Sequence, residues 1–132
     1  MGAKVSAENP DKLATVVWEG DSLKVLRSFP KKVMRKFGAD IFNLQRGERP
    51  KSFRPMPAVG KGVMELKQRD DAGWYRIIYL SRVEETLYML HTFRKQSAKT
   101  SKKDIAVAQT RLKTVLEAIR KEKTDGKSSD NC

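Results

Sequence analysis

The chain has 132 residues, of which 28 are Lys or Arg and 16 are Asp or Glu, for a formal net charge of +12. A hydrophobic share of 39% supplies apolar surface for one packed domain and excludes a wholly disordered basic tail. The only cysteine, Cys132, excludes a disulfide scaffold, and no apolar run approaches the roughly 20 residues of a membrane span. With no signal-like hydrophobic segment after Met1, the expectation is a soluble, cytoplasmic protein without membrane contact, whose partner is a polyanion.

Residues 1–14 are polar and read as a flexible arm, 15–121 as a single domain, and 122–132 as a charged, disordered tail. Thr15-Val16-Val17-Trp18 is a β-branched and aromatic run that predicts a first strand, stopped by Glu19-Gly20. Asp21 or Ser22 then caps a short helix bearing Leu23, Val25, Leu26 and Phe29. Pro30 opens a second helix, in which Val33, Met34, Phe37, Ile41 and Leu44 form one apolar stripe and Arg46-Gly47 marks the stop. The polar side of these helices carries Lys24, Arg27, Lys31, Lys32, Arg35 and Lys36, either a solvated face or a binding surface. Residues 47–62 read as a loop rich in Pro and Gly and interleaved with Arg49, Lys51, Arg54 and Lys61.

Three strands are expected next, near 63–68, 74–80 and 86–93, joined by Asp70-Asp71-Ala72-Gly73 and by a polar turn over 81–85. Short connections between consecutive strands imply an antiparallel meander. Ser101 with Asp104 three residues later opens a last amphipathic helix, carrying Ile105, Ala108, Leu112, Val115, Leu116 and Ile119. The predicted class is α+β: a small antiparallel sheet of about four strands, with helices packed on one face and the other face open.

The chain has no glycine-rich phosphate loop and no paired-cysteine metal site, so neither a cofactor nor a metal is expected. A toolkit of Arg, Lys, Glu and the single His91 suits phosphodiester chemistry on RNA. There the ribose 2′-OH is a built-in nucleophile, and the protein must align it and neutralise charge on phosphate. Arg76 lies mid-strand on the same side as Trp74 and Ile78, either in an ion pair with a neighbour such as Glu65 or as a phosphate-binding guanidinium. Phe93-Arg94-Lys95, with Lys99, Lys102 and Lys103, sets a ring suited to base stacking beside several cations; the plain alternative is a solvated basic loop. His91 is either a general acid or base near neutral pH or a half-buried packing residue.

Three runs, Val63-Met64-Glu65-Leu66-Lys67, Trp74-Tyr75-Arg76-Ile77-Ile78-Tyr79 and Leu90-His91-Thr92-Phe93-Arg94-Lys95, precede the capped helix. Together they resemble the HigB-like branch, phage-derived homologues included, of the RelE/ParE toxin superfamily, over residues of about 15–120. The resemblance implies a RelE-like fold and a type II toxin neutralised by a helix-turn-helix antitoxin. It also implies a metal-independent endoribonuclease that cuts mRNA on the ribosome and contacts ribosomal RNA.

By the same resemblance, Arg76 is the transition-state stabiliser, Arg94 and Lys95 are the basic residues closing the last strand, and Glu65 and Lys67 are the charged residues of the preceding strand. His91 falls where this branch often has a histidine. The candidate catalytic set is therefore Arg76, Lys95, Arg94, His91 and Glu65, and the candidate RNA-binding set is Lys67, Arg54, Lys61, Arg69, Phe93, Lys99 and Lys102. Two departures stand out: no tyrosine follows Tyr88, and Glu65 stands where some relatives carry a lysine. ParE-type members keep the fold but bind DNA gyrase, so a gyrase-binding toxin and a non-toxic RNA- or ribosome-binding module are the alternative functions.

Overall fold

A computed structural model describes residues 13–51, 53–97 and 99–130, with Arg82 and residues 124–130 described by backbone alone. β1 (Thr15–Trp18) leads into α1 (Ser22–Arg27) and α2 (Lys31–Gln45). The apolar stripe of α2 buries Val33, Phe37 and Ile41. They meet Leu66, Tyr75, Ile77, Tyr79, Leu87 and Met89 on one face of the sheet. The helix stops where the glycine predicts. Gly47 adopts a φ of 84°, and its N–H and that of Glu48 close back on the carbonyls of Leu44 and Asn43. Asp21 occupies the N-cap position of α1 but makes no side-chain cap bond; its carboxylate pairs instead with Arg111 at 3.0 Å.

β2 (Phe53–Pro55), β3 (Val63–Asp70), β4 (Gly73–Val83), β5 (Thr86–Lys95) and α3 (Lys102–Asp130) complete the chain. The expected meander of β3, β4 and β5 is present and antiparallel. The sheet is nevertheless five-stranded and mixed, in the order β1-β5-β4-β3-β2. β1 adds to β5 in parallel, and β2 arises inside the basic loop. A three-residue edge strand ending in Pro55 has too little periodicity to be read from sequence.

The face expected to stay open is covered. Ala108, Leu112 and Val115 of α3 pack on Val63, Ile78, Leu80, Leu90 and Phe93, so helices cover both faces. The run Ile77-Ile78-Tyr79-Leu80 carries the reason, because a strand apolar on both sides must be buried on both sides. α3 begins only at Lys102, and the end of the β3–β4 hairpin lies beyond it, with Arg69 exposed and Lys67 and Trp74 half-buried. Among the described residues, no helix is long and apolar enough to cross a membrane.

Residues 1–12 of the expected arm lie outside the described residues, whereas Ala14 is buried and donates its N–H to Gln45. α3 runs through Asp130, past residue 121, and residues 131 and 132 lie outside the described residues. Between β4 and β5 the polar turn shrinks to two residues, Glu84 and Glu85, with φ of 50° and 65°. Consecutive left-handed residues suit Asn and Gly far better than Glu. Replacing Glu84 by Asn is expected to raise stability by about 1 kcal/mol, read as an increased midpoint in urea at unchanged slope.

Candidate functional site

Side chains alternate along a strand and align across neighbouring strands, so pairing register decides which residues meet. On the α3 face the register builds three cross-strand rows. The first is Arg54, Glu65, Ile78 and His91; the second is Lys67, Arg76 and Phe93; the third is Arg69, Trp74 and Lys95. Residues scattered from 54 to 95 in the chain thus share one surface.

Its centre is an ion pair without solvent exposure. Arg76 Nη1 donates to Glu65 Oε1 at 2.6 Å and to Thr100 Oγ1 at 3.3 Å, and both charged side chains are 0% exposed. Thr100 Oγ1 in turn donates to Glu65 Oε2 at 2.8 Å, while the exposed Arg54 lies 3.3 Å from Oε1. Both Glu65 oxygens are therefore occupied, and Glu65 is a counter-ion rather than a proton acceptor in this arrangement. Arg76 is correspondingly occluded, though its Nε and Nη2 are buried without a hydrogen-bond partner.

Trp74 organises the uncovered end of the site. Lys67 Nζ, Arg69 Cζ and Arg76 Cζ lie 5.2, 5.0 and 5.7 Å from the centroid of its ring. Lys67 and Arg76 are directly opposite each other, an arrangement that destabilises an ordinary sheet. The electron-rich indole face and the Glu65 carboxylate offset that repulsion. Beside them, Lys51, Phe53, Arg54, Glu65 and Lys67 line a shallow groove of about 290 Å³. Trp74 is the site residue that candidate selection from sequence passed over, although its shared side with Arg76 was the available signal.

At the other edge, the pairing of β4 with β5 shifts by one residue between Ile78 and Tyr79. Ile78 opposes His91 while Tyr79 opposes Met89, which leaves Leu90 as an extra residue. Leu90 packs into the α3-side core, and His91 faces α3 as well. His91 Nε2 lies 2.9 Å from Asp104 Oδ1, and its ring stacks on Phe93 at 4.7 Å. Lys95 Nζ is 3.4 Å from Asp104 Oδ2, which also accepts from Ser101 Oγ at 2.7 Å. Burial would raise the Asp104 pKa, but hydrogen bonds from His91 and Ser101 and the charge of Lys95 hold it below the ordinary 3.8.

Phe93 is buried under α3 and stacked on His91, so no base can stack on it. Arg94 points to the opposite face, its guanidinium 5.6 Å from the Tyr75 ring. Lys61 is exposed in the turn before Val63, at the end of β3 away from Arg69. Lys99 and Lys102 are exposed beside buried Thr100, along the approach to α3. Among the described residues, no cluster of three or more His, Cys, Asp or Glu side chains could hold a metal ion.

The five-stranded mixed sheet, with α1 and α2 on one face and α3 on the other, is the fold of a RelE-type toxin. A mutant of the E. coli toxin RelE in the free state matches with a TM-score of 0.57 and 15% identity, over 75% of this chain and 97% of that one. The toxin–antitoxin complex RelBE2 of Mycobacterium tuberculosis gives a TM-score of 0.45 and 19% identity, over 66% of this chain and 97% of that chain. No curated protein sequence matches. The model of the phage-derived Gp49-like family (DUF891) matches residues 24–113, and the chain belongs to that family, within the RelE/ParE toxin superfamily.

Removing one partner of a buried pair strands the other. Glu65→Ala is therefore expected to destabilise the fold by about 3–5 kcal/mol, against less than about 1 kcal/mol for the exposed Arg54→Ala, both measured by urea unfolding. The lowered pKa of Asp104 also fixes a sign. Its contribution is complete above the unfolded value near 3.8 and is lost as pH falls through the lower folded value. The stability difference between wild type and Asp104→Ala should accordingly narrow between about pH 5 and about pH 3.

Proposed function

We propose that this protein is a type II toxin that inhibits translation as a metal-independent, ribosome-dependent mRNA endonuclease. The observation that carries the reading is the gathering of Lys67, Arg69 and Arg76 around Trp74, with Arg54 and Lys95 on the same face of the sheet. Cations beside an accessible indole match what single-stranded RNA offers, namely phosphates and unstacked bases. In the reaction the ribose 2′-OH attacks the adjacent phosphorus, the P–O5′ bond breaks, and the products are a 2′,3′-cyclic phosphate and a 5′-OH. Lys67 and Lys95 neutralise the charge that grows on the non-bridging oxygens. Arg76 joins them through Nε and Nη2, its two donors without a protein partner, once the Thr100 contact opens.

Its partner before activation is an antitoxin, in line with family membership and with the RelBE2 complex among the matching structures. The antitoxin is a helix-turn-helix protein whose acidic residues cover the basic face. A second reading, a module that binds RNA or the ribosome without cutting, is favoured by one observation: Arg76 is paired with Glu65 and occluded.

Induction without the antitoxin separates the two. Growth arrest with new mRNA ends inside coding sequence is expected, and intact messages during arrest would defeat the nuclease reading. Because Arg76→Ala strands Glu65, the matched variants are Lys67→Ala and Lys95→Ala. Each is expected to slow cleavage about a hundredfold, leaving a measurable residual rate, while the protein stays folded at the assay temperature. Each should also reduce the slope of log affinity against log salt, for a single-stranded RNA, by about 0.7.

A further inference from the structure

The His91–Asp104–Lys95 string has a role that the phosphate-binding cations do not explain. Asp104 lies in the first turn of α3, and its backbone N–H donates to Ser101 Oγ at 3.2 Å while Ser101 Oγ donates to its carboxylate. That reciprocal contact fixes the carboxylate to the helix before anything else touches it. Oδ1 then receives His91 Nε2, and Oδ2 faces Lys95 Nζ. A lysine has four rotatable side-chain bonds, and an ammonium free to sample them is a poor electrostatic catalyst.

The histidine end is just as constrained. Nδ1 of His91 is buried without a partner. A proton there would be a buried donor with no acceptor, so the geometry assigns a neutral ring with its proton on Nε2, donated to Asp104. Both ring nitrogens are thereby withdrawn from proton exchange with a substrate. His91 does not act as the general acid or base in this arrangement; it holds the carboxylate.

We propose that Asp104 is a positioning residue of the RNA site: braced by His91 and Ser101, it holds the Lys95 ammonium on the α3 face of the sheet. The register puts Lys95 opposite Trp74, so it shares the sheet face that carries Lys67, Arg69 and Arg76. The proposal rests on the RNA reading of this face, and its test keeps the two apart.

The test compares wild type, Asp104→Asn, Lys95→Ala and the double variant, all as full chains, on a translated mRNA and on a short single-stranded RNA. Asp104→Asn keeps the shape but removes the charge that holds the ammonium. Cleavage is expected to fall about tenfold in that variant, which loses a little stability but stays folded at the assay temperature, and to fall no further when Asp104→Asn is added to Lys95→Ala. Equal losses in both backgrounds would show that Asp104 acts independently of Lys95 and overturn the proposal.

Should wild type leave RNA intact, the nuclease reading fails by itself. Affinities of the four proteins for the RNA then decide positioning by the same non-additivity. Nitrogen-15 NMR of the single histidine needs no RNA. A neutral ring protonated at Nε2, with that preference lost in Asp104→Asn, is expected, and a ring protonated at Nδ1 in wild type would overturn the assignment.

Discussion

The buried pair of Arg76 and Glu65 is the constraint on which the α3 face depends. It joins β4 to β3, draws in Arg54 from the edge strand β2, and takes Thr100 from the segment entering α3. A guanidinium and a carboxylate removed from water lose several kcal/mol of hydration each, and only close contact with further hydrogen bonds offsets the loss. A pair of hydrophobic residues would hold the sheet as well or better. The pair therefore matters less as a source of stability than as a device that keeps a cation inside a sheet. Once Arg76 is there, Lys67 and Arg69 can stand beside it only because Glu65 and the Trp74 ring supply compensating negative charge and π density.

The two faces of the sheet divide the work. α1 and α2 cover theirs with aromatic and aliphatic side chains, including Phe37, Tyr75 and Tyr79, and that face carries most of the packing. On the other face α3 starts late enough to leave the β3–β4 hairpin end uncovered, and that end is where the cations gather. The hinge between covered and uncovered regions is the segment from Lys95 to Lys102. In it Thr100 caps the ion pair and Ser101 caps the helix. One short connection thus sets the start of a helix, the occlusion of Arg76 and the anchoring of Asp104. The toxin fold supplies the scaffold, and this connection decides which of the strand cations are covered.

The net charge has two addresses. Lys24, Arg27, Lys31, Lys32, Arg35 and Lys36 are all exposed on α1, α2 and the step between them, the helices that cover the other sheet face. Such a patch raises the rate of encounter with any polyanion and falls off with salt, whatever it finally contacts. The strand cations differ in kind: they are held in register and in part buried, so they define a geometry rather than a field.

Much of the fold was legible in the chain because it is written at short range. The 3.6-residue stripe of α2, the glycine closure at Gly47, the meander, and the capping of α3 by Ser101 and Asp104 are each decided within a few residues. Alternation alone placed Arg76 and Trp74 on one side of β4. Glu65 as the partner of Arg76 was an open alternative, which only the pairing of β3 with β4 could settle. The parallel addition of β1, the edge strand at Phe53, and the extra residue at Leu90 that turns His91 toward α3 depend on contacts between distant segments. So does the loss of Phe93 as a stacking ring and the turning of Arg94 to the far side. Composition and local pattern determined the chain's own charge and its elements. Tertiary structure alone decided which cations are buried, paired or presented, because burial and ion pairing are properties of surfaces brought together, not of neighbours along a chain.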